Sequence, residues 1–276
     1  MAISAKDVKK LRDITGAGMM DCKKALTEAN GDFDAAIDIL RKKGQKVSAK
    51  RADRDASEGR IATKLNEDAS AGAIVEVNCE TDFVARNDEF GGFAQRIADI
   101  VLAEKPADAD ALNAAEYADG RSVGETVSDM MGKIGEKIDI RRFAVVNATE
   151  GRVVDYIHPG SRLGVLVDMK GGGDLDGAGR DLAMQIAAMN PVAARVDEVP
   201  EEVKQKELEI GRETALNEGK PEHIVDRIAE GKLKRYYKDN VLVEQAFVKD
   251  SSMTVTQMLK KADADIERFV RFALGA

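Results

Sequence analysis

The sequence predicts an α+β protein whose core is a duplicated unit of antiparallel strands covered by helices. Short runs of alternating apolar residues, typical of strands, are followed by amphipathic helical patterns, as expected where helices cover one face of a sheet. The core also repeats: Glu58–Ile61 recurs as Glu150–Val153, and Gly72–Val77 recurs as Gly164–Met169, both 92 positions later (151 against 59, 164 against 72). A charged, helix-rich N-terminal segment precedes the core, and a long helical insertion interrupts the second copy.

The composition limits the classes of function that the chain can have. The chain has 276 residues, of which 43% are hydrophobic, enough for two or three packed domains. No apolar run could span a membrane, and Met1–Asp7 lacks the order of a signal peptide, so we expect a cytosolic protein without a membrane partner. A net charge of −8 and an aromatic content of 4% argue against direct nucleic-acid binding. Cys22 and Cys79 lack a second metal ligand nearby, so no metal site is expected.

Residues 1–45 are predicted to form a three-helix domain. Ser4 caps a first helix, from about Ala5 to Ile14, and a second runs from about Met20 to Ala29. Asp32 caps a third helix, which Gly44 is expected to end. Marginal bundles of this size often need a partner or a neighbouring domain.

A turn and a linker complete this N-terminal segment. Met19 and Met20 follow a glycine turn, which resembles the exposed docking loop of ubiquitin-associated (UBA) bundles; that they fill gaps in the bundle core is an equally open alternative. Residues 46–58 are predicted to be a linker, extended or partly helical, in which Lys50, Arg51 and Arg54 are solvated.

The first copy of the core is assigned to 59–146 and the second to 147–199 with 239–276. Each copy is predicted to begin with a β-hairpin, continue into a helix and return as a third strand, Ile138–Val146 in the first copy and Val241–Val248 in the second. A short helix near Thr254–Lys261 and a last strand, Ile266–Phe272, are expected at the C-terminus.

The insertion, 200–238, is predicted to be an antiparallel helical hairpin. Its apolar seam is sparse: Val203, Leu208, Ala215, Ile224 and Ile228. Such a seam cannot form a core, so the hairpin projects or pairs with something else, which leaves a higher-order complex open.

The stretch Glu76–Arg86 is the first candidate site. It follows a strand, Ala73–Val77, and a helical pattern begins a few residues later, so Thr81–Val84 lies on a strand-to-helix connection, where functional residues tend to collect. General burial statistics favour a core position for Phe83. The alternative is an exposed aromatic that anchors a partner.

Taken together with Leu11–Leu26, the stretch Glu76–Arg86 closely resembles the signature sequences of the bacterial translation elongation factor Ts family, and the resemblance extends over essentially the whole chain. It implies a guanine-nucleotide exchange factor that binds the GTPase elongation factor Tu and promotes GDP release. In that family the loop corresponding to Thr81, Asp82, Phe83 and Val84 disturbs the partner's Mg²⁺ site, and the helical hairpin is a projecting coiled coil. Matched motifs imply further partner contacts at Lys23, Ile134, Gly135, His158, Phe247 and Val248.

Two departures from the family qualify this resemblance. Position 80 is Glu, where an amide is also common, and the extra charge beside Asp82 is expected to alter affinity. The chain ends at Ala276, where many members continue into a helix that lies on the GTPase, so that contact is expected to be absent.

Other motifs offer weaker alternatives. The glycine-rich run Gly171–Gly179 lies where a dinucleotide fingerprint would, but its spacing is G-x-G-x-x-x-G and two acids crowd it, so no nucleotide cofactor is expected. His158 and His223 have no nucleophile or metal ligand nearby, and no catalytic motif stands out, so we expect no bond-breaking enzyme. A UBA-like adaptor for another cytosolic protein and a nucleotide-binding enzyme remain as alternative functions.

Overall fold

The computed structural model describes residues 3–51 and 53–276, and it combines helices with antiparallel sheets. The helices are α1 (Ala5–Thr15), α2 (Met19–Glu28), α3 (Phe33–Arg51), α4 (Asp82–Ala85), α5 (Asp88–Glu104), α6 (Ala109–Ala114), α7 (Val123–Ile134), α8 (Leu175–Met189), α9 (Glu201–Asn217), α10 (Glu222–Asn240) and α11 (Val255–Lys261). The strands are β1 (Glu58–Leu65), β2 (Ala71–Cys79), β3 (Glu116–Ala118), β4 (Arg121–Ser122), β5 (Ile138–Asn147), β6 (Arg152–Ile157), β7 (Leu163–Gly171), β8 (Ala246–Phe247), β9 (Asp250–Thr254) and β10 (Ala264–Ala273).

The chain divides into two compact units. One comprises Met1–Ala62, Ile74–Ala144 and Ala273–Ala276, and the other comprises Thr63–Ala73 and Val145–Phe272. The two larger sheets have three strands each, in the orders β1-β2-β5 and β10-β7-β6. None of the helices in the described residues has the length and apolar character needed to cross a membrane.

The first three helices form as predicted at their N-terminal ends. Ser4 and Asp7 make a reciprocal capping box on α1, and the carboxylate of Asp32 accepts a bond from the Ala35 amide at the start of α3. The small core beneath them consists of Val8, Leu11, Cys22, Ala25, Leu26 and Ala36. Met19 and Met20 do not fill this core, because their side chains are exposed.

The prediction that Gly44 ends the third helix is wrong, because α3 continues to Arg51. Gly44 is needed instead for contact with α7. A Cβ at Gly132 would lie 2.7 Å from the Gly44 Cα, and a Cβ at Gly44 would lie 3.1 Å from the Ser128 carbonyl oxygen. Two helix backbones can approach this closely only without side chains. The first part of the predicted linker is therefore helical.

We predict that Gly132→Ala destabilises the chain. Alanine favours a helix over glycine, but here its methyl group would collide with the backbone of α3, and overpacking of this kind costs about 1–3 kcal/mol. Gly92→Ala is the matched control: Gly92 is also helical, but a Cβ there meets nothing within 4 Å. Gly92→Ala should stabilise the chain by about 0.5–1 kcal/mol. In urea unfolding, the two substitutions should change the free energy of unfolding in opposite directions. Changes in the same direction would contradict the proposed backbone contact.

The 92-residue repeat has matching local structure. A Cβ at Gly59 would lie 2.2 Å from the Val77 carbonyl oxygen, and a Cβ at Gly151 would lie 2.1 Å from that of Met169. Both glycines therefore permit the same close approach of the first strand of a copy to the second. The hairpin turns also correspond, since Ala69 and Ser161 both have φ of 55°.

The third strand of the second copy was predicted incorrectly. The segment Val241–Val248 was expected to fill this place, but β10 does, at the edge of the sheet beside β7. Val241 is instead the N-cap of a short 3₁₀ helix, Leu242–Glu244, and the side chains of Val241, Leu242 and Val243 are buried in the core beside α8. A short hairpin, a capped helix and a strand thus follow in both copies, as β3-β4-α7-β5 and β8-β9-α11-β10.

A buried carboxylate occupies the same position in each copy. Glu76 of β2 and Asp168 of β7 are 92 positions apart, and both side chains are fully buried. Glu76 Oε2 accepts a bond from Arg142 Nε at 2.7 Å, whereas Asp168 accepts bonds from the Thr149 amide and hydroxyl at 3.3 and 3.0 Å. The strand β2, predicted to be buried on one face, is buried on both, since all nine of its residues are buried.

The insertion folds as the two helices α9 and α10, which contact each other. Gly211 lies against Ala229, and Arg212 Nε is 2.6 Å from Asp226 Oδ1. The predicted seam is only partly correct, because Ala215 is buried as expected, whereas the other buried side chains are Val225 and Ala229 rather than the neighbouring isoleucines. At the base of these helices, Val203 and Tyr237 pack against the core of the second unit.

Candidate functional site

The predicted loop Thr81–Val84, called the Phe83 loop below, forms the start of a single helical turn. Thr81 is the N-cap of α4, and its hydroxyl accepts a bond from the Val84 amide at 3.4 Å. Such a cap satisfies one of the amides that the start of a helix leaves free. At the other end of the turn, the Arg60 side chain donates to the Ala85 carbonyl.

Phe83 is the most exposed of the large apolar side chains in the described residues, at 84% of its surface. Ala85, two positions further on, is buried, and Phe90 of α5 is fully buried. Of the two alternatives for Phe83, the structure has the exposed aromatic rather than the core residue. An exposed aromatic on a fixed backbone presents a large apolar surface to a partner.

Asp82 lies beside Phe83 and is half-exposed. Its Oδ2 is 3.1 Å from Arg86 Nη2, one turn further along, and the arginine is largely exposed. An ion pair of this kind at the surface contributes little to stability. The Asp82 carboxylate can therefore exchange Arg86 for polar groups of a partner at small cost.

Glu80, which adds a charge next to Asp82, is paired rather than free. Its carboxylate accepts bonds from Arg51 Nη1 at 2.6 Å, Arg54 Nη1 at 3.0 Å and the Lys137 amide at 2.6 Å. The prediction that Arg51 and Arg54 are only solvated is wrong for the same reason. Both arginines neutralise a carboxylate immediately before the Phe83 loop.

The pKa of Glu80 reflects these bonds. Burial raises it, but the hydrogen bonds from the Lys137 amide, Arg51 and Arg54 outweigh burial and lower the pKa from 4.5 to about 2. A carboxylate whose pKa is lowered on folding stabilises the fold at pH values above its ordinary pKa. That contribution is lost as the pH falls towards the lowered pKa. In the folded chain Glu80 therefore stays ionised down to about pH 2, and the stability that its bonds contribute declines as the pH falls from about 4.5 to about 2.

Glu136 joins the Phe83 loop to the end of α7. Its Oε1 accepts the Thr81 hydroxyl at 2.7 Å, and its Oε2 accepts the Thr81 amide at 3.0 Å. Ile134 is the last residue of α7 and Gly135 its C-cap, with φ of 81°. The structure thus connects two of the predicted contact residues, Ile134 and Gly135, to the Phe83 loop within one unit.

Cys79, immediately before this segment, is not reactive. Burial, together with the nearby negative charge of Glu136, raises the pKa of the thiol to about 12. Its Sγ donates to the Thr81 carbonyl at 3.2 Å. A thiol that stays protonated at neutral pH is a poor nucleophile, so Cys79 serves as a packed side chain.

Lys23 is exposed on α2, in the same unit as the Phe83 loop. Ile14, Met19 and Met20 are exposed large apolar side chains around the preceding glycine turn. The N-terminal helices therefore present exposed apolar side chains, which suit contact with another protein, and Lys23 is exposed on one of the same helices.

The remaining predicted contacts lie in the other unit. His158 is exposed in the turn between β6 and β7, and its Nδ1 is 2.9 Å from the Tyr156 hydroxyl. Val248 is 46% exposed. Phe247, however, is buried in the core of that unit, so its side chain does not offer the direct partner contact that was expected.

The glycine-rich run does not form a phosphate-binding loop. The amides of Gly172 and Gly173 both donate to the Asp263 carbonyl, at 3.1 and 3.0 Å, and a Cβ at Gly173 would lie 1.9 Å from the Ala262 carbonyl oxygen. Asp174 caps α8 with its own carboxylate. The glycines permit close packing against a neighbouring segment, and these amides are not available to a phosphate.

Two side chains that hold the Phe83 loop were missed from the sequence, Glu136 and Arg60. Both contact the Phe83 loop across long sequence separations, and neither belongs to a periodic pattern that would indicate the contact. In the sequence, the one indication of these contacts was a charged residue close to the end of a strand or a helix.

Comparison with known proteins identifies the family. The family model described as elongation factor TS matches residues 80–276. The chain is 48% identical over 285 residues to elongation factor Ts of Prosthecochloris aestuarii, covering 99% of each chain, and 49% identical over 280 residues to that of Amoebophilus asiaticus, covering all of both. It is also 48% identical to elongation factor Ts of Cytophaga hutchinsonii over 277 residues, 99% of each chain. The chain therefore belongs to the elongation factor Ts family.

Proposed function

We propose that the Phe83 loop is the part of this chain that disturbs the Mg²⁺ and phosphate site of elongation factor Tu. As a member of its family, the chain is a guanine-nucleotide exchange factor for that GTPase in translation elongation. We place its action in the cytosol, where elongation takes place. The observation that carries the proposal is the exposure of Phe83 on a helical turn that is anchored at both ends.

Exchange of this kind needs no bond-breaking group. A factor accelerates GDP release if it binds the nucleotide-free state of the GTPase more tightly than the nucleotide-bound state. Mg²⁺ bridges the nucleotide phosphates to the protein, so moving the elements that hold the ion removes much of the nucleotide affinity. Phe83 would act as an apolar wedge, and Asp82 would compete for polar groups near the ion.

The other contacts are proposed at side chains or turns that are exposed or half-buried. Lys23, Ile134 and Gly135 would extend the interface from the unit that carries the Phe83 loop, and His158 and Val248 would contribute contacts from the other unit. Residues 1–45 would act as a UBA-like docking domain, 46–58 as its connection, and the two copies, 59–146 and 147–199 with 239–276, as the core. The alternative of a UBA-like adaptor for another protein has no specific observation in its favour.

The direct test is the release of labelled GDP from elongation factor Tu, followed by stopped flow. The intact chain should accelerate release by orders of magnitude, and excess GDP with Mg²⁺ should dissociate the complex. Release at the spontaneous rate, with a folded chain in excess, would overturn the proposed function.

We propose that α9 and α10 form a projecting hairpin, residues 200–238, that is not the main contact. Deleting residues 206–234 and joining the ends by a Gly-Ser bridge keeps Val203 and Tyr237 against the core. We expect a folded product whose exchange rate stays within about threefold of the parent, because an exposed helical pair supports little of the core. Circular dichroism shows whether the product folds, and the GDP release assay measures its exchange rate. A folded product without exchange activity would make the hairpin a primary contact.

A further inference from the structure

The Phe83 loop cannot hold its own conformation. The helix α4 has four residues, one turn, which is too short to be stable by itself. The Phe83 side chain is almost fully exposed, so no packing of the ring fixes its direction. The direction of the ring must therefore come from the contacts that hold the backbone of the turn.

Glu136 provides two of these contacts through one residue. It accepts both the amide and the hydroxyl proton of Thr81. Because the hydroxyl proton is directed at Glu136, the lone pairs of the Thr81 oxygen are left for the Val84 amide. One carboxylate thus orients the cap that starts the turn carrying Phe83.

The position of Glu136 is itself fixed by a reciprocal contact. Glu136 accepts the amide of Thr81, and Glu80 accepts the amide of Lys137. Two adjacent residues of one segment are thereby joined to two adjacent residues of the other by carboxylate-to-amide bonds, which are stronger than neutral ones. Gly135 turns the chain at the end of α7 and places Glu136 at this point.

We propose that Glu136 is a positioning residue for Phe83, which holds the loop in the orientation that enters the partner's Mg²⁺ site. This inference rests on the proposed exchange function and adds a residue that does not itself need to touch the partner. A loop that lacks this anchor samples many orientations, and only a fraction of bound complexes then has the ring inserted.

The test compares Glu136→Ala with Glu136→Gln in the GDP release assay, over a range of concentrations of the full chain. Glutamine can accept the Thr81 amide with its oxygen and donate its NH₂ to the Thr81 hydroxyl, so it preserves the geometry without the charge. We expect Glu136→Ala to lower the saturating release rate about tenfold and to change the half-saturating concentration less than about threefold. Glu136→Gln should restore most of the rate. Asp139→Ala, which removes an exposed carboxylate three residues away, should change neither quantity.

A double variant separates positioning from general stability. If Glu136 acts through Phe83, then Glu136→Ala should have no further effect in a Phe83→Ala background. The inference would be overturned if the two substitutions lowered the saturating release rate independently, so that their factors multiply in the double variant. It would also be overturned if Glu136→Ala alone left that rate unchanged. If Glu136→Ala does not fold, a comparison of Thr81→Val with Thr81→Ser tests the bond between Thr81 and Glu136, since only serine retains the hydroxyl. Equal saturating release rates for these two variants would overturn the inference.

The same assays distinguish failure of this inference from failure of the proposed function. If Phe83→Ala releases GDP as fast as the parent, the wedge role fails, whatever Glu136 does. If Phe83→Ala is slow but Glu136→Ala is as fast as the parent, only the positioning role fails.

Discussion

Phe83→Ala should unfold like the parent chain and yet lose most of its ability to release GDP from elongation factor Tu. Because the ring is 84% exposed, its removal creates no cavity, and a surface substitution of this kind changes the free energy of unfolding by about 0.5 kcal/mol or less. An aromatic anchor at an interface contributes about 2 kcal/mol or more, which corresponds to a release rate lower by roughly 30-fold. Urea unfolding and stopped-flow GDP release measure the two quantities separately.

Phe90→Ala is the matched control, because the same substitution is made at a fully buried ring seven positions away. It should cost about 3–5 kcal/mol of folding stability through lost burial and a cavity. Asp82→Ala should reduce exchange in the same direction as Phe83→Ala but less, since water partly replaces a polar group at the rim. Chelating Mg²⁺ should shrink the Phe83 effect. A large loss of stability in Phe83→Ala, or an unchanged release rate, would contradict the assignment of the loop.

The different environments of Phe83 and Phe90 show what the sequence could predict here. Phe90, Phe93, Ile97 and Ile100 recur at helical spacing, and all four are buried as expected on one face of α5. Phe83 precedes that pattern, so no periodicity indicated its environment, and general statistics favoured the core. Only the resemblance to a family suggested that the ring is exposed.

The third strand of the second copy shows a different limit. Val241–Val248 and β10 are both apolar enough to be strands. The constant offset of 92 residues aligns the two copies only over their first hairpins. The insertion of α9 and α10 changes the offset beyond that point, so β10 pairs with β7, while the earlier segment forms a short 3₁₀ helix in the core and then the strand β8. Composition alone does not decide which of two apolar segments pairs with a strand.

The contacts around the Phe83 loop were the least predictable part of the site. Glu80 meets Arg51 and Arg54 at separations of 29 and 26 residues, and Thr81 meets Glu136 at 55. Contacts between single charged side chains far apart in sequence follow no period, so the partners depend on the tertiary fold. For this reason the chemistry of the loop could be predicted from a motif, but its anchoring could not.

The second large effect is expected at Arg142. Within the described residues, Arg142→Met leaves the fully buried Glu76 carboxylate with Arg141 Nε, 3.9 Å away, as its one remaining cation, and it also removes a bond to the Ala273 carbonyl. Removing the main partner of a buried charge costs about 3–5 kcal/mol, because the remaining charge is unsolvated and keeps a single, more distant cation. We expect that loss in the urea unfolding of the intact chain.

The repeat supplies the control for Arg142. Arg268→Met removes the corresponding cation from Asp168, but Arg268 Nε is 3.9 Å away, and Thr149 still donates two bonds to that carboxylate. We expect a loss of about 1 kcal/mol or less there. Adding Glu76→Gln to Arg142→Met should recover much of the stability, because a neutral amide of the same shape leaves no buried charge. Equal losses for the two arginines, or no recovery with the glutamine, would show that the buried charge of Glu76 is not what makes Arg142 necessary.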